Sequence, residues 1–314
     1  MKKTLIAAGF ASLMTTTAMA DGIGVSMALF DDNFLTVLRN GMTDYAGTLD
    51  GVTLQIEDAQ NDVGKQLNQI QNFVASGVDA IIVNPVDTSA TQAMSDAAAA
   101  AGVPLVYVNR QPINVDTLPD NQAFVASNES ESSRQGFIEQ CNQWKAAGKA
   151  EVSVYVMQGE LSNQAAVQRT QNYTDVVNEG LCAVKVNVID QQTANWSRDQ
   201  AQSLMTNWLS TGAAFDGVLA NNDEMALGAI QAMKAAGIDM GSVIVSGVDA
   251  TQDALASMQA GELDITVFQN AAAQGGGALD AAVKLAAGEA VDQKVYIPFE
   301  LVTPANIDGY LSKN

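Results

Sequence analysis

Between residues 23 and 110 the chain alternates short apolar runs with Ala-rich amphipathic stretches. The runs at 23–28, 52–57, 80–83 and 104–108 have the length and β-branched content of strands. The stretches at 33–45, 63–76 and 89–101 carry apolar residues at helical spacing. A strand that is apolar at nearly every position has no solvated face, so it needs cover on both sides. Strand–helix–strand alternation supplies that cover, because right-handed crossovers lay helices on both faces of a parallel sheet. The pattern therefore predicts an α/β chain whose first lobe is a doubly wound parallel sheet.

The rhythm pauses from 111 to 128, a Pro- and Asn-bearing stretch with one short strand at 123–126, and restarts with a helix at 132–147. Strands at 152–157, 184–189, 217–220 and 243–246 alternate with helices near 164–179, 197–210 and 223–236, which predicts a second doubly wound lobe. A strand at 265–269, a helix through 275–287 and a strand at 295–298 close the chain. The two lobes look like an old duplication, although no residue-level repeat is visible.

The first twenty residues read as a signal peptide. Lys2 and Lys3 precede an apolar run at 5–14, and Ala18-Met19-Ala20 is a small-residue cleavage pattern. Cleavage after Ala20 would leave no cysteine there to carry a lipid, so a free periplasmic protein is expected. The remaining chain holds 13 basic against 35 acidic residues, a net charge of −22. Such a surface repels phosphate backbones, which excludes nucleic acid as a partner. Cys141 and Cys182 are the only cysteines, an even count in an oxidising compartment, and a disulfide within the second lobe is expected; two buried thiols are the alternative.

Enzyme chemistry finds little support. The chain has no histidine, so Ser-His-Asp and Cys-His nucleophile systems and His-ligated metal sites are excluded. It has no Walker-type phosphate loop, and Gly275-Gly276-Gly277 falls inside a helical pattern, where it signals close packing. Asp and Glu are abundant, but nothing fixes a hydrolytic carboxylate pair. No enzyme, cofactor or metal is expected.

In open α/β sheets ligands bind at the carboxyl ends of the strands. Those positions carry Phe30-Asp31-Asp32-Asn33-Phe34, Asn84-Pro85, Asn109-Arg110, Asn221-Asn222-Asp223, Asp249 and Gln269. Planar Asp, Asn, Gln and Arg side chains grip adjacent hydroxyls bidentately, and flat aromatics such as Phe34 and Trp196 pack on the C–H faces of a ring. The set therefore points to a polyol. Each member also has a structural reading. Asp32 and Asp249 are candidate helix caps, Trp196 a core residue, and Arg110 and Arg169 surface ion-pair partners. Their gathering at strand ends in both lobes favours the binding reading.

At these residues the chain resembles the sugar-binding receptors of ABC importers, the ribose/galactose/inositol group of periplasmic binding proteins of type I. The landmarks are Phe30–Phe34, Val83-Asn84-Pro85-Val86-Asp87, Asn109-Arg110-Gln111-Pro112, the run from Asn221 to Ala229, and Gly247-Val248-Asp249. The segment from Tyr107 to Pro112 is most similar to the rhizopine- and inositol-binding branch. The resemblance implies a three-strand hinge joining an N-terminal lobe (21–127 plus 270–297) to a C-terminal lobe (128–269 plus 298–314). It implies that Asp32, Asn109 and Arg110 bind hydroxyls, that Phe34 stacks on one ring face, and that Phe30 lines the rim. In the second lobe it implies that Arg169, Asn222 and Asp249 make polar contacts, that Trp196 is the second stacking aromatic, and that Gln269 is a contact at the hinge. Its implied partners are a small neutral polyol or sugar and a membrane permease, with the receptor itself a monomer.

The chain departs from its relatives at Val167, where ribose receptors present an Arg. It departs again at Asn163 and Ala165, where galactose receptors carry a His and an Asp, and it lacks their calcium loop. These departures favour a cyclitol such as myo-inositol, with galactose or glucose as the alternative. Presentation of the ligand to a chemotaxis or signalling receptor stays open beside transport.

Overall fold

The computed structural model describes residues 22–313; the expected signal peptide at 1–20 lies outside them. The first lobe runs β1 (Gly22–Met27), α1 (Asn33–Ala46), β2 (Thr53–Asp58), α2 (Val63–Ser76), β3 (Ala80–Val83), α3 (Thr91–Ala101), β4 (Leu105–Val108) and β5 (Gln122–Ala126). The second runs α4 (Ser132–Ala146), β6 (Glu151–Gln158), α5 (Gln164–Asn178), β7 (Lys185–Thr193), α6 (Arg198–Ser210), β8 (Gly217–Ala220), α7 (Asp223–Ala235), β9 (Ile244–Ser246), α8 (Gln252–Gln259) and β10 (Thr266–Gln269). Then follow α9 (Ala271–Ala286), β11 (Lys294–Tyr296) and β12 (Phe299–Val302).

The first sheet has the order β11-β5-β4-β3-β1-β2, and every pairing in it is parallel. The second has the parallel order β7-β6-β8-β9, and bridges from Ser246 to Ile265 and from Asp249 to Phe268 bring β10 alongside β9. Strand β12 then pairs antiparallel with β10. The chain thus passes between the sheets after β5, after β10 and after β11.

Alternation along the strands produces the two-sided cover. In β3, Ala80 and Ile82 face α1 and α9, whereas Ile81 and Val83 face α2 and α3. In the second sheet Tyr155 and Met157 pack with α6 and α7, and Val154 and Val156 with α4 and α5. Burying one such Val or Leu side chain contributes roughly 1.5–3 kcal/mol. Helix α9 lies so close to α1 that a Cβ on Gly275 would fall 2.2 Å from the Leu38 carbonyl oxygen, which accounts for glycine at that position. Cys141 on α4 and Cys182 ahead of β7 form a disulfide with Cα atoms 5.3 Å apart. No helix among the described residues is long and apolar enough to cross a membrane.

Three elements differ from the sequence reading. Strand β7 continues to Thr193 beside β6, past a register shift between Val154 and Tyr155. Helix α9 starts at Ala271 instead of near Gly275, because the Asn270 side chain accepts from Ala273 N and caps it there. Strand β12 was not foreseen; the sequence reading ended its last strand at Pro298.

Candidate functional site

Strand order reverses direction at β1, which has β2 on one side and β3 on the other, and at β6, which lies between β7 and β8. Crevices open outside the carboxyl ends of strands at such switch points. The loops after β1, β4, β6, β8 and β9 face one another across the gap between the lobes. Helix N-termini follow several of these strands, so backbone N–H groups and the positive ends of helix dipoles gather there too.

A cavity of about 390 Å³ of empty space, its mouth included, lies in this gap. Its walls are Asp32, Phe34, Asn109 and Arg110 from the first lobe and Arg169, Trp196, Asn222, Asp249 and Gln269 from the second. Leu35, which the sequence did not mark, and Ala165, marked there only as a departure from galactose receptors, complete it. Phe30 is not among the lining residues; its ring packs against the first-lobe core with the Arg39 guanidinium carbon 4.1 Å from its centroid.

Several side chains serve two purposes. Asp32 caps α1, its Oδ1 accepting from Leu35 N at 2.8 Å, while it also lines the cavity. Burial raises its pKa above the ordinary carboxylate range, against the opposing effects of the Leu35 hydrogen bond and of Arg110. Asn222 caps α7 through Met225 N at 3.0 Å, and its Nδ2 donates to the Trp196 carbonyl at 3.4 Å. Asn109 sits at φ 65°, a left-handed conformation that Asn tolerates, and its Nδ2 donates to Gln274 on α9. Trp196 is half-buried on the second-lobe core and also faces the cavity.

The two guanidiniums are held differently. Arg110 is buried, donates to the Pro85 carbonyl at 2.9 Å and lies 3.8 Å from Glu160; burial lowers its pKa. Arg169 forms a two-pronged pair with Glu129 at 2.7 and 2.8 Å and donates to Gln269 Oε1 at 3.0 Å and to the Asn221 carbonyl at 2.8 Å. Burial alone would lower the Arg169 pKa, but the Glu129 carboxylate beside it more than offsets that and the pKa is raised. Glu129 is 6% exposed and was missed, since Glu131 two residues on looks the same in sequence. Glu129 thus neutralises Arg169, while Arg110, the other cation on the wall, has Glu160 3.8 Å away.

Asp249 is 3% exposed, and its Oδ1 lies 3.9 Å from Arg169 Nη1. Burial raises its pKa well above the usual range; Arg169 opposes the rise and nearby Asp223, Asp32 and Glu129 reinforce it. Thr251 caps α8 by accepting from Ala254 N, the position considered for Asp249 from sequence.

The lobes also touch at the mouth of the cavity. Asn33 donates to Glu224 at 2.7 Å, Asn61 to Glu160 at 3.0 Å, and the Thr88 N and Oγ1 both to the Ser162 carbonyl at 3.1 and 3.0 Å. These contacts belong to a closed arrangement. Among the described residues no cluster of three or more Asp, Glu, Cys or His side chains could hold a metal ion.

Comparison with known proteins agrees with this geometry. Residues 23–290 match the family described as "Periplasmic binding protein domain". Over 314 residues, the whole of both chains, the sequence is 60% identical to a Rhizobium meliloti protein named "Putative rhizopine-binding protein". An ABC transporter solute-binding protein from Bacillus halodurans, solved with bound myo-inositol, superposes with TM-score 0.86 at 38% identity, covering 96% of this chain and 100% of its own. A Caulobacter myo-inositol-binding protein bound to myo-inositol superposes with TM-score 0.83 at 29% identity, covering 93% and 96%.

Proposed function

This chain belongs to the periplasmic binding protein family, and from that premise we propose that it is a periplasmic receptor delivering one neutral cyclitol, myo-inositol or a close relative, to the permease of an ABC importer. The carrying observation is the inter-lobe cavity, where Phe34 and Trp196 come from opposite lobes and amide, carboxylate and guanidinium groups form most of the remaining wall. Apolar C–H faces pack on flat aromatics, while ring hydroxyls need donors and acceptors that burial has stripped of water. A wrong epimer leaves one of those groups unpaired, which is how such a site selects.

The assigned roles are Asp32, Asn109, Arg110, Arg169, Asn222, Asp249 and Gln269 as hydroxyl contacts and Phe34 and Trp196 as the two faces. The lobes divide at 21–127 plus 270–297 and 128–269 plus 298–314, with the site at their junction. Binding and release make no covalent bond, and the receptor acts as a monomer. The inositol ligands of the two structural neighbours support the cyclitol, as do the Asn109–Pro112 run and Asn163 and Ala165 in place of galactose-type residues. Galactose or glucose is the second reading, supported by the family's wider range of sugars.

A thermal-shift panel of cyclitols, hexoses, pentoses and amino acids tests the class. Ligand at about 100 times its dissociation constant stabilises by roughly 2.7 kcal/mol. The expected result is the largest shift with a cyclitol; shifts only with an amino acid or a metal ion contradict the proposal.

A further inference from the structure

Gly159 stands immediately after β6, at the switch point of the second sheet. It lies against the indole of Trp196. A Cβ built on Gly159 would fall 2.2 Å from Trp196 Cζ2 and 2.3 Å from Cε2 and Cη2, distances that no real Cβ contact tolerates. Its φ lies outside the left-handed region, so backbone conformation does not demand glycine here. The requirement is for space alone.

The strand end cannot retreat to make that space. Gly159 N donates to Asn221 Oδ1 at 3.1 Å, and its carbonyl accepts from Thr193 Oγ1 at 2.8 Å. The Trp196 backbone is fixed as well. Asn195 and Trp196 are consecutive left-handed residues at φ 51° and 63°, Ser197 N closes the turn on the Ala194 carbonyl at 2.9 Å, and Asn195 donates to Gln200 at 2.8 Å. The free coordinate is the indole ring, half-buried at the edge of the core and forming one wall of the cavity.

We propose that Gly159 is a positioning and specificity-determining residue: its missing side chain lets the Trp196 ring lie back against the strand end and sets the width left for a ligand ring. The proposal rests on the cavity being the polyol site. Any side chain at 159 drives the indole off its bed, and the least costly path is a swing of the ring with little change to the core. A methyl group added to or missing from a snug pocket is worth roughly 10–200-fold in discrimination, so a displaced wall costs affinity on that scale.

The test is a double-mutant cycle of Gly159→Ala and Trp196→Phe, with Trp196→Ala as a further background. Two readouts apply: affinity for myo-inositol by calorimetry, and the emission and acrylamide quenching of Trp196, isolated as the difference from each protein's Trp196→Phe counterpart. Expected is a loss of roughly tenfold or more for Gly159→Ala in the wild-type background, with Trp196 more accessible to quencher. The loss should largely vanish when Trp196 is Ala. Should Gly159→Ala fail to fold, its rescue by Trp196→Ala supports the packing relation, and failure of that rescue overturns it. Unchanged Trp196 emission, or an equal affinity loss with Trp196 absent, also overturns the proposal. If the wild type binds no polyol, the receptor reading falls, while the ligand-free emission comparison still decides whether Gly159 positions the ring.

Discussion

Asp249 sits at φ 124°, a positive value beyond the left-handed well and uncommon for any residue but glycine, three residues after the shortest strand of the second sheet. The sequence left two roles for it, helix cap or ligand contact. Thr251 performs the capping, and Asp249 lines the cavity beside Arg169. Asp249→Asn keeps the backbone preference and the shape while removing the charge. A hydrogen bond to a charged group is worth roughly 1.5–3 kcal/mol, so affinity for the cyclitol should fall roughly 10- to 150-fold. Apo melting should not drop, because Thr251 and not Asp249 caps α8. Calorimetric titration together with apo melting curves checks both; unchanged affinity would remove Asp249 from the site. At this scale the sequence was legible where a residue type sat at a strand end, as with Asn109, Asn222 and Gln269. It was silent where burial decided the role. Nothing in Asn128-Glu129-Ser130-Glu131 marks Glu129 as the partner of Arg169, and Phe30 looks as suitable as Phe34 until its ring is seen on Arg39.

Short apolar runs and helical spacing made most elements readable, because a strand buried on both faces and a helix buried on one leave different periods in a sequence. What stayed hidden were the elements defined by a partner far along the chain: β12, formed only against β10, and the far end of β7, formed only against β6. The N-terminus of α7 shows how elements are tied together. Asp223 accepts from Thr266 Oγ1 on β10 at 2.7 Å and from Thr251 N ahead of α8 at 2.9 Å, and is fully buried. Burial pushes its pKa up to about 7, against the opposing hydrogen bonds. An acid with a raised folded pKa holds its proton in the native state after the unfolded chain has lost it. Its contribution to stability is therefore complete below the ordinary value of 3.8 and is lost as pH climbs towards about 7. Asp223→Asn, neutral throughout, should gain stability relative to wild type between about pH 4 and pH 7 and hold a constant difference from there to pH 8. Melting temperatures of both proteins across that range read the difference, and a difference that does not change with pH contradicts the assignment.

The molecule as a whole is a pair of rigid sheets joined by three crossings, and the cavity walls come from both. Such a joint moves by changing a few backbone angles where the chain crosses, leaving each core intact. In this arrangement Asn33 meets Glu224, Asn61 meets Glu160 and Thr88 meets Ser162, contacts that a closed form would keep. A ligand favours that state only by the difference in its affinity for the closed and open forms. Contacts from a single lobe would supply no such difference; in the proposed site, Phe34 and Asp32 on one side with Trp196 and Asp249 on the other would. The two-lobed architecture was visible in the repeated rhythm of the chain, but the mouth contacts were not: Asn61 and Thr88 carry no mark in the sequence, and Asn33, inside the run 30–34, gives no sign of its partner Glu224. The central claim, that this cleft closes on one neutral polyol, is tested most directly by isothermal titration of the protein, freed of bound ligand, with myo-inositol. The expected result is a saturable heat signal at one ligand per chain. No saturable binding of myo-inositol, nor of any other cyclitol or monosaccharide titrated in the same way, would contradict it.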